Sequence, residues 1–92
     1  MSINFNKAND YISLVERDYF SGCFSESVIR DDLRTRRSKK SFYIEDFRST
    51  LDTINGVLEA TRTHQSWDSV LISRCEKCIT QVQRLLDLVY SY

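Results

Sequence analysis

The chain reads as an all-α protein, a small three- or four-helix bundle dominated by a long antiparallel helical hairpin. Three observations carry that expectation. There is no proline and there are only two glycines, Gly22 and Gly56, so the usual punctuation of strand turns is nearly missing. Two long stretches carry apolar residues every three or four positions, the spacing that lines one helix face. Finally, 92 residues suffice for one small domain, 1–92, whose own core gives modest stability.

Taken in order, Asn9 or Asp10 is expected to cap a first helix, 9–20. Ile12, Val15 and Tyr19 fall at helical spacing, with Tyr11 and Leu14 beside them. Gly22 offers a stop. Ser25 begins a second helix, 26–36, its hydroxyl set to accept from an unpaired N–H of the first turn, with Val28, Ile29 and Leu33 as its apolar stripe. No apolar residue follows until Phe42, so this helix is expected to fray into a solvated connection.

The third helix is expected over 42–63, starting near Ser41. Ile44, Phe47, Leu51, Ile54 and Leu58 repeat at three, four, three and four positions. Gly56 interrupts this stripe at a cost of about 1 kcal/mol relative to alanine, and it suggests a close approach by another helix. Thr63-His64-Gln65-Ser66 is the next break, with Ser66 as cap and Asp68 in the first turn, where a negative charge suits the helix dipole. The fourth helix, 67–91, carries Trp67, Leu71, Cys75, Cys78, Val82, Leu85 and Val89, widened by Val70, Ile79 and Leu86. Two long amphipathic helices joined by a short polar turn should pack antiparallel.

Charge is the least ordinary property. Thirteen basic and thirteen acidic residues cancel, yet five of the basic ones (Arg34, Arg36, Arg37, Lys39 and Lys40) fall in seven positions with no acid among them. Residues 1–33 hold three basic and six acidic side chains, and 41–64 hold two and four. A positive centre thus lies between acidic flanks. Such a run either stays wet, pairing with Asp31, Asp32, Glu45 and Asp46, or meets an anionic partner. That partner is a protein's acidic patch, a nucleic acid with Phe42 and Tyr43 stacking on bases, or anionic lipid. An import signal in a eukaryotic host is a further reading. An isoelectric point near 6.6 weighs against nucleic acid.

The remaining constellations favour packing over chemistry. Cys75-Glu76-Lys77-Cys78 is a C-x-x-C, but it lies in mid-helix on the apolar face, where core thiols are expected. A Cys₃His zinc site would need Cys23 and the lone His64, and a redox pair would need a strand before its helix. His64 has no argued catalytic partners, and adjacent carboxylates on a helix point apart. Without a glycine-rich phosphate cradle, no enzyme activity, cofactor or metal is expected. Three cysteines suit reduced thiols, no window approaches 18 apolar residues, and Met1–Lys7 lacks a secretory pattern. A cytosolic protein, or a nuclear one, is expected.

The last eight residues hold Leu85, Leu86, Leu88, Val89, Tyr90 and Tyr92, which surround the helix and call for cover from another subunit. The function expected is therefore a non-enzymatic interaction module: an inhibitor, immunity-type protein, adaptor or small complex subunit. It would act by occupying a partner protein with an acidic patch, with homodimerisation as another route. Arg30, Arg34, Arg36, Arg37, Lys39 and Lys40 would steer binding, and Tyr43, Trp67, Tyr90 and Tyr92 would anchor it. A small nucleic-acid-binding regulator using 34–40 is the alternative.

Overall fold

The apolar stripes of the two long segments meet in a helical hairpin. A computed structural model describes residues 5–63 and 68–92. Among them are four α-helices, α1 (Phe5–Phe20), α2 (Glu26–Thr35), α3 (Lys40–Thr63) and α4 (Ser69–Tyr90), with a single 3-10 turn at Arg37–Lys39 before α3. Helices α3 and α4 run antiparallel: Lys40 Nζ lies 3.3 Å from the Tyr90 carbonyl at one end, and Arg62 lies 3.8 Å from Glu76 toward the other. Helix α1 runs parallel to α4, with Arg74 reaching Asn9, Ser13 and Glu16 while Gln81 donates to the Tyr19 carbonyl. Helix α2 continues that column, its Glu26 meeting Arg84 at 2.7 Å. The bundle thus has three columns, one of them broken between α1 and α2, and measures 47 × 20 × 17 Å.

The break explains the shape. At Gly22 an added Cβ would stand 2.8 Å from the Arg17 carbonyl oxygen and 2.9 Å from Asp18 Cα. The Phe24 N–H donates to the Asp18 carbonyl at 2.8 Å, folding the chain back over the end of α1. That turn delivers Phe24 into an aromatic cluster. Its ring lies 5.0 Å from Tyr19, 5.7 Å from Phe47 and 6.2 Å from Tyr43, and Phe47 is fully buried. Such pairs contribute about 0.5–1.5 kcal/mol each beyond area burial, so the cluster fixes the α1–α2 joint on the hairpin.

Several expectations are corrected at element ends. Helix α1 starts at Phe5 instead of residue 9, because Ala8 extends the buried stripe of Ile12, Val15 and Tyr19. Asn9 does not cap it; its side-chain oxygen accepts from Arg74 at 2.9 Å. Ser25 does occupy the N-cap of α2 with extended backbone, but its hydroxyl makes no capping bond. Ser41 lies inside α3, which begins at Lys40. Asp68, expected in the first turn of α4, is instead its N-cap and accepts from the Leu71 N–H at 3.0 Å. The expected cap Ser66, together with His64 and Trp67, lies outside the described residues.

The stripes also rotate at their edges. Tyr43, Phe47, Leu51, Ile54 and Leu58 are buried on α3, with Ile44 only partly so. On α4, Ile72 is buried, while Val70, expected to widen the stripe, is 67 % exposed. Val28 likewise faces outward while Ile29 and Leu33 are fully buried. Gly56 marks no close approach, since nothing lies within 4 Å of a Cβ placed there. The largest correction concerns the C-terminus. Leu85, Leu86 and Val89 are buried and Leu88 and Tyr92 pack partly against the same core, so this chain covers the tail itself. Tyr90, 49 % exposed, is the one of these six side chains that faces outward, while Leu88 and Tyr92 keep part of their surface open. No described helix is long and apolar enough to cross a membrane.

Candidate interaction surface

The basic run is an ordered corner and not a frayed connection. Helix α2 stops at Thr35, Arg36 adopts φ −138° and ψ 76°, and its N–H donates to the Asp32 carbonyl at 2.7 Å. The 3-10 turn follows at once, with the Lys39 N–H bonded to the Arg36 carbonyl at 3.1 Å. No glycine or proline is needed, because every residue of the corner keeps negative φ.

Beneath the corner, the Tyr43 hydroxyl donates to Asp32 Oδ2 at 2.6 Å, and Lys39 Nζ stands 3.6 Å from the same oxygen. That hydrogen bond, reinforced by the Lys39 charge, holds the Asp32 carboxyl below its ordinary value. Burial, and then the neighbouring carboxylate, push the Tyr43 phenol well up. Tyr43 is therefore a strut between α2 and α3. The expectation that it anchors a partner or stacks on a base is corrected, because its side chain is buried.

Two of the other expected residues pin the opposite side. Lys40 donates to the Tyr90 carbonyl, placing a cation at the C-terminal end of α4, where the helix dipole favours one. Arg30 lies beside Tyr92 and Glu26, whose hydrogen bonds raise its pKa; its Nε is 3.3 Å from Glu26 Oε2. The structure thus gathers Arg30, Lys40, Tyr90 and Tyr92, far apart in sequence, at one end of the bundle.

The charges of the corner do not balance. Arg34 meets Asp31 at 2.9 Å, but both side chains are 72 % exposed, and such pairs contribute about 0–1 kcal/mol. Glu45 and Asp46, expected as partners for the run, form no ion pair with it among the described residues; Asp31 and Asp32 do. Arg36 and Arg37 are exposed, and neither forms an ion pair there. Phe42, 53 % exposed on the first turn of α3, is the exposed large apolar side chain nearest in sequence to this charge among the described residues. Its outward placement follows from the stripe, since Tyr43 takes the core position beside it.

The thiols behave as core residues. Cys75 and Cys78 are buried and unpaired, and burial pushes both up, Cys78 to about 11. They are protonated at neutral pH, the opposite of an activated thiolate. Among the described residues no group of three or more His, Cys, Asp or Glu side chains is placed to hold a metal ion. No protein-family model, curated protein or solved structure matches this chain.

Proposed function

We propose that this chain is a non-enzymatic interaction module that binds an acidic patch on another protein through the corner between α2 and α3. The observation that supports this reading is the pair Arg36 and Arg37, exposed and in no ion pair among the described residues, on a turn held at both sides. Asp32–Tyr43 and Lys40–Tyr90 fix that turn, so little backbone freedom is lost when a partner docks. Arg34 is readily released from its exposed pair with Asp31, and Arg30, Lys39 and Lys40 extend the positive field. Phe42 and Tyr90 offer apolar area for anchoring. A cytosolic or nuclear setting suits such a role.

The double reversal Arg36→Glu with Arg37→Glu tests it, because neither side chain forms an ion pair among the described residues; the Arg36 charge acts on Asp32, so circular dichroism checks that the fold is kept. Capture from the native host's lysate, read by mass spectrometry with and without nuclease, is the assay. A stoichiometric protein retained after nuclease and weakened at least about tenfold by the reversal is the expected result. Capture that vanishes with nuclease, weakening steeply with salt, would transfer the surface to a nucleic-acid-binding regulator, with Phe42 as the stacking side chain. Capture unchanged by the reversal would remove the corner from the function.

A further inference from the structure

A second surface, remote from the basic run in charge, lies where α1 faces α3. A cleft of about 190 Å³ opens there. Asp18 stands in its α1 wall and Asp46 in its α3 wall. Its floor and sides are aromatic and aliphatic, with Tyr11, Leu14, Tyr19 and Phe24 among the lining side chains, and Leu14 is 49 % exposed at the mouth.

Hydrogen bonds position one of the two carboxylates. The Tyr19 hydroxyl donates to Asp46 Oδ2 at 3.3 Å and bonds Thr50 Oγ1 at 3.0 Å, which holds the Asp46 carboxylate at the edge of the cleft. No cation pairs with Asp46 among the described residues. Among the described residues Asp18 pairs with its chain neighbour Arg17, 3.1 Å away and 70 % exposed, a pair that water screens and a ligand can displace. Asp46 also borders an adjoining depression with Glu45 and Phe42, so the negative charge continues along α3. A larger open groove of about 410 Å³ on α4 contains one carboxylate and one ammonium, Glu76 and Lys77, and has no comparable bias.

We propose that the cleft between α1 and α3 is a receptor for an alkylammonium group. The ammonium head would sit between Asp18 and Asp46 and the aliphatic stem against Leu14 and the aromatic walls. A carboxylate at the rim with ring edges and faces below is the chemistry that recognises a lysine side chain or a free polyamine. A guanidinium fits less well, since its planar fork seeks a bidentate carboxylate and Asp46 already spends one oxygen on Tyr19. This inference uses none of the cations of the corner, so it stands or falls separately from the proposed function.

The test is an NMR titration of the aromatic and amide resonances with n-butylammonium chloride, using n-butanol as the neutral isostere. Saturable shifts at Tyr11, Tyr19 and Phe24 with a Kd on the order of 1 mM are expected, and about tenfold weaker binding of the alcohol. Asp46→Asn and Asp18→Asn should each weaken the amine about tenfold. Asp46→Asn keeps an oxygen for Tyr19, and its fold is checked by circular dichroism. Asp52→Asn, outside the cleft, should change nothing. Nα-acetyl-lysine methylamide and spermidine separate the sources: tighter binding of the first identifies a partner's lysine, of the second a free polyamine. Equal binding of amine and alcohol, or unaltered affinity in both cleft variants, overturns the proposal.

Discussion

Gly22 and Gly56 are identical in sequence terms and opposite in consequence. A methyl group at Gly22 would run into the backbone of Arg17 and Asp18, which cannot yield as a flexible side chain would. Gly22→Ala should therefore lower stability by about 1–3 kcal/mol. Gly56 lies in mid-α3 with open space around it, and Gly56→Ala should raise stability by about 0.5–1 kcal/mol through helix propensity alone. Urea denaturation of the two variants checks both signs. The chain-stopping role of Gly22 is legible in the sequence, because it follows a periodic segment and precedes a fresh helix start. The role of Gly56 is not, because a glycine inside a stripe reads the same whether a neighbouring helix approaches or solvent does. The same ambiguity governs Tyr43 and Ile44, adjacent residues either of which can continue the stripe of α3. The hydroxyl decides in favour of Tyr43, since Asp32 satisfies it at the core's edge.

At the scale of elements, the hairpin was the most legible feature, because a stripe repeated over five or more positions tolerates errors at its ends. How α1 docks was not legible, because it depends on a polar clamp between residues some sixty positions apart. Arg74 donates from Nε and Nη2 to the two oxygens of Glu16 at 3.1 and 2.7 Å, from Nη1 to Asn9 and again from Nη2 to Ser13. A lone arginine beside the apolar stripe of α4 carries no such signal in the sequence. Only a guanidinium can span three acceptors on successive turns of α1, whereas an ammonium concentrates its donors at one point. Arg74→Lys should weaken the docking of α1 by about 1 kcal/mol, roughly a fivefold rise in amide exchange confined to that helix. Protection in α3 and α4 should stay near the parent's, read by hydrogen exchange with mass spectrometry. Uniform acceleration through all four helices would show instead that α1 and the hairpin open together. The basic corner was half legible for a related reason. Its charge was visible in composition, but its order comes from Asp32, Tyr43 and the end of α4.

For the whole molecule, the titratable groups that the fold perturbs limit stability at both ends of the pH scale. The Arg74 hydrogen bond holds Glu16 below its ordinary 4.5, and the Tyr43 hydrogen bond does the same for Asp32 from 3.8. A carboxyl with a depressed folded pKa contributes stability that is complete above its unfolded value and lost as pH falls through the folded one. Stability should therefore decline as pH drops below about 4.5, and Glu16→Gln should flatten part of that decline. The alkaline edge has the opposite origin. Burial raises Cys75, raises Cys78 from 9.0 to about 11, and raises the Tyr11, Tyr19 and Tyr43 phenols from 10.0. Each group keeps its proton in the folded chain after the unfolded chain has lost it. The stabilisation is complete below the unfolded value and disappears as pH rises through the folded one. Between those edges neither set of groups changes protonation, so urea midpoints should form a plateau from about pH 5 to about pH 8.5, falling on each side. Cys78→Ala separates packing from titration: the cavity lowers its whole curve, while the decline between pH 9.0 and about 11 becomes shallower. An alkaline decline of unchanged steepness in that variant would assign the edge to Cys75 and the tyrosines instead of Cys78.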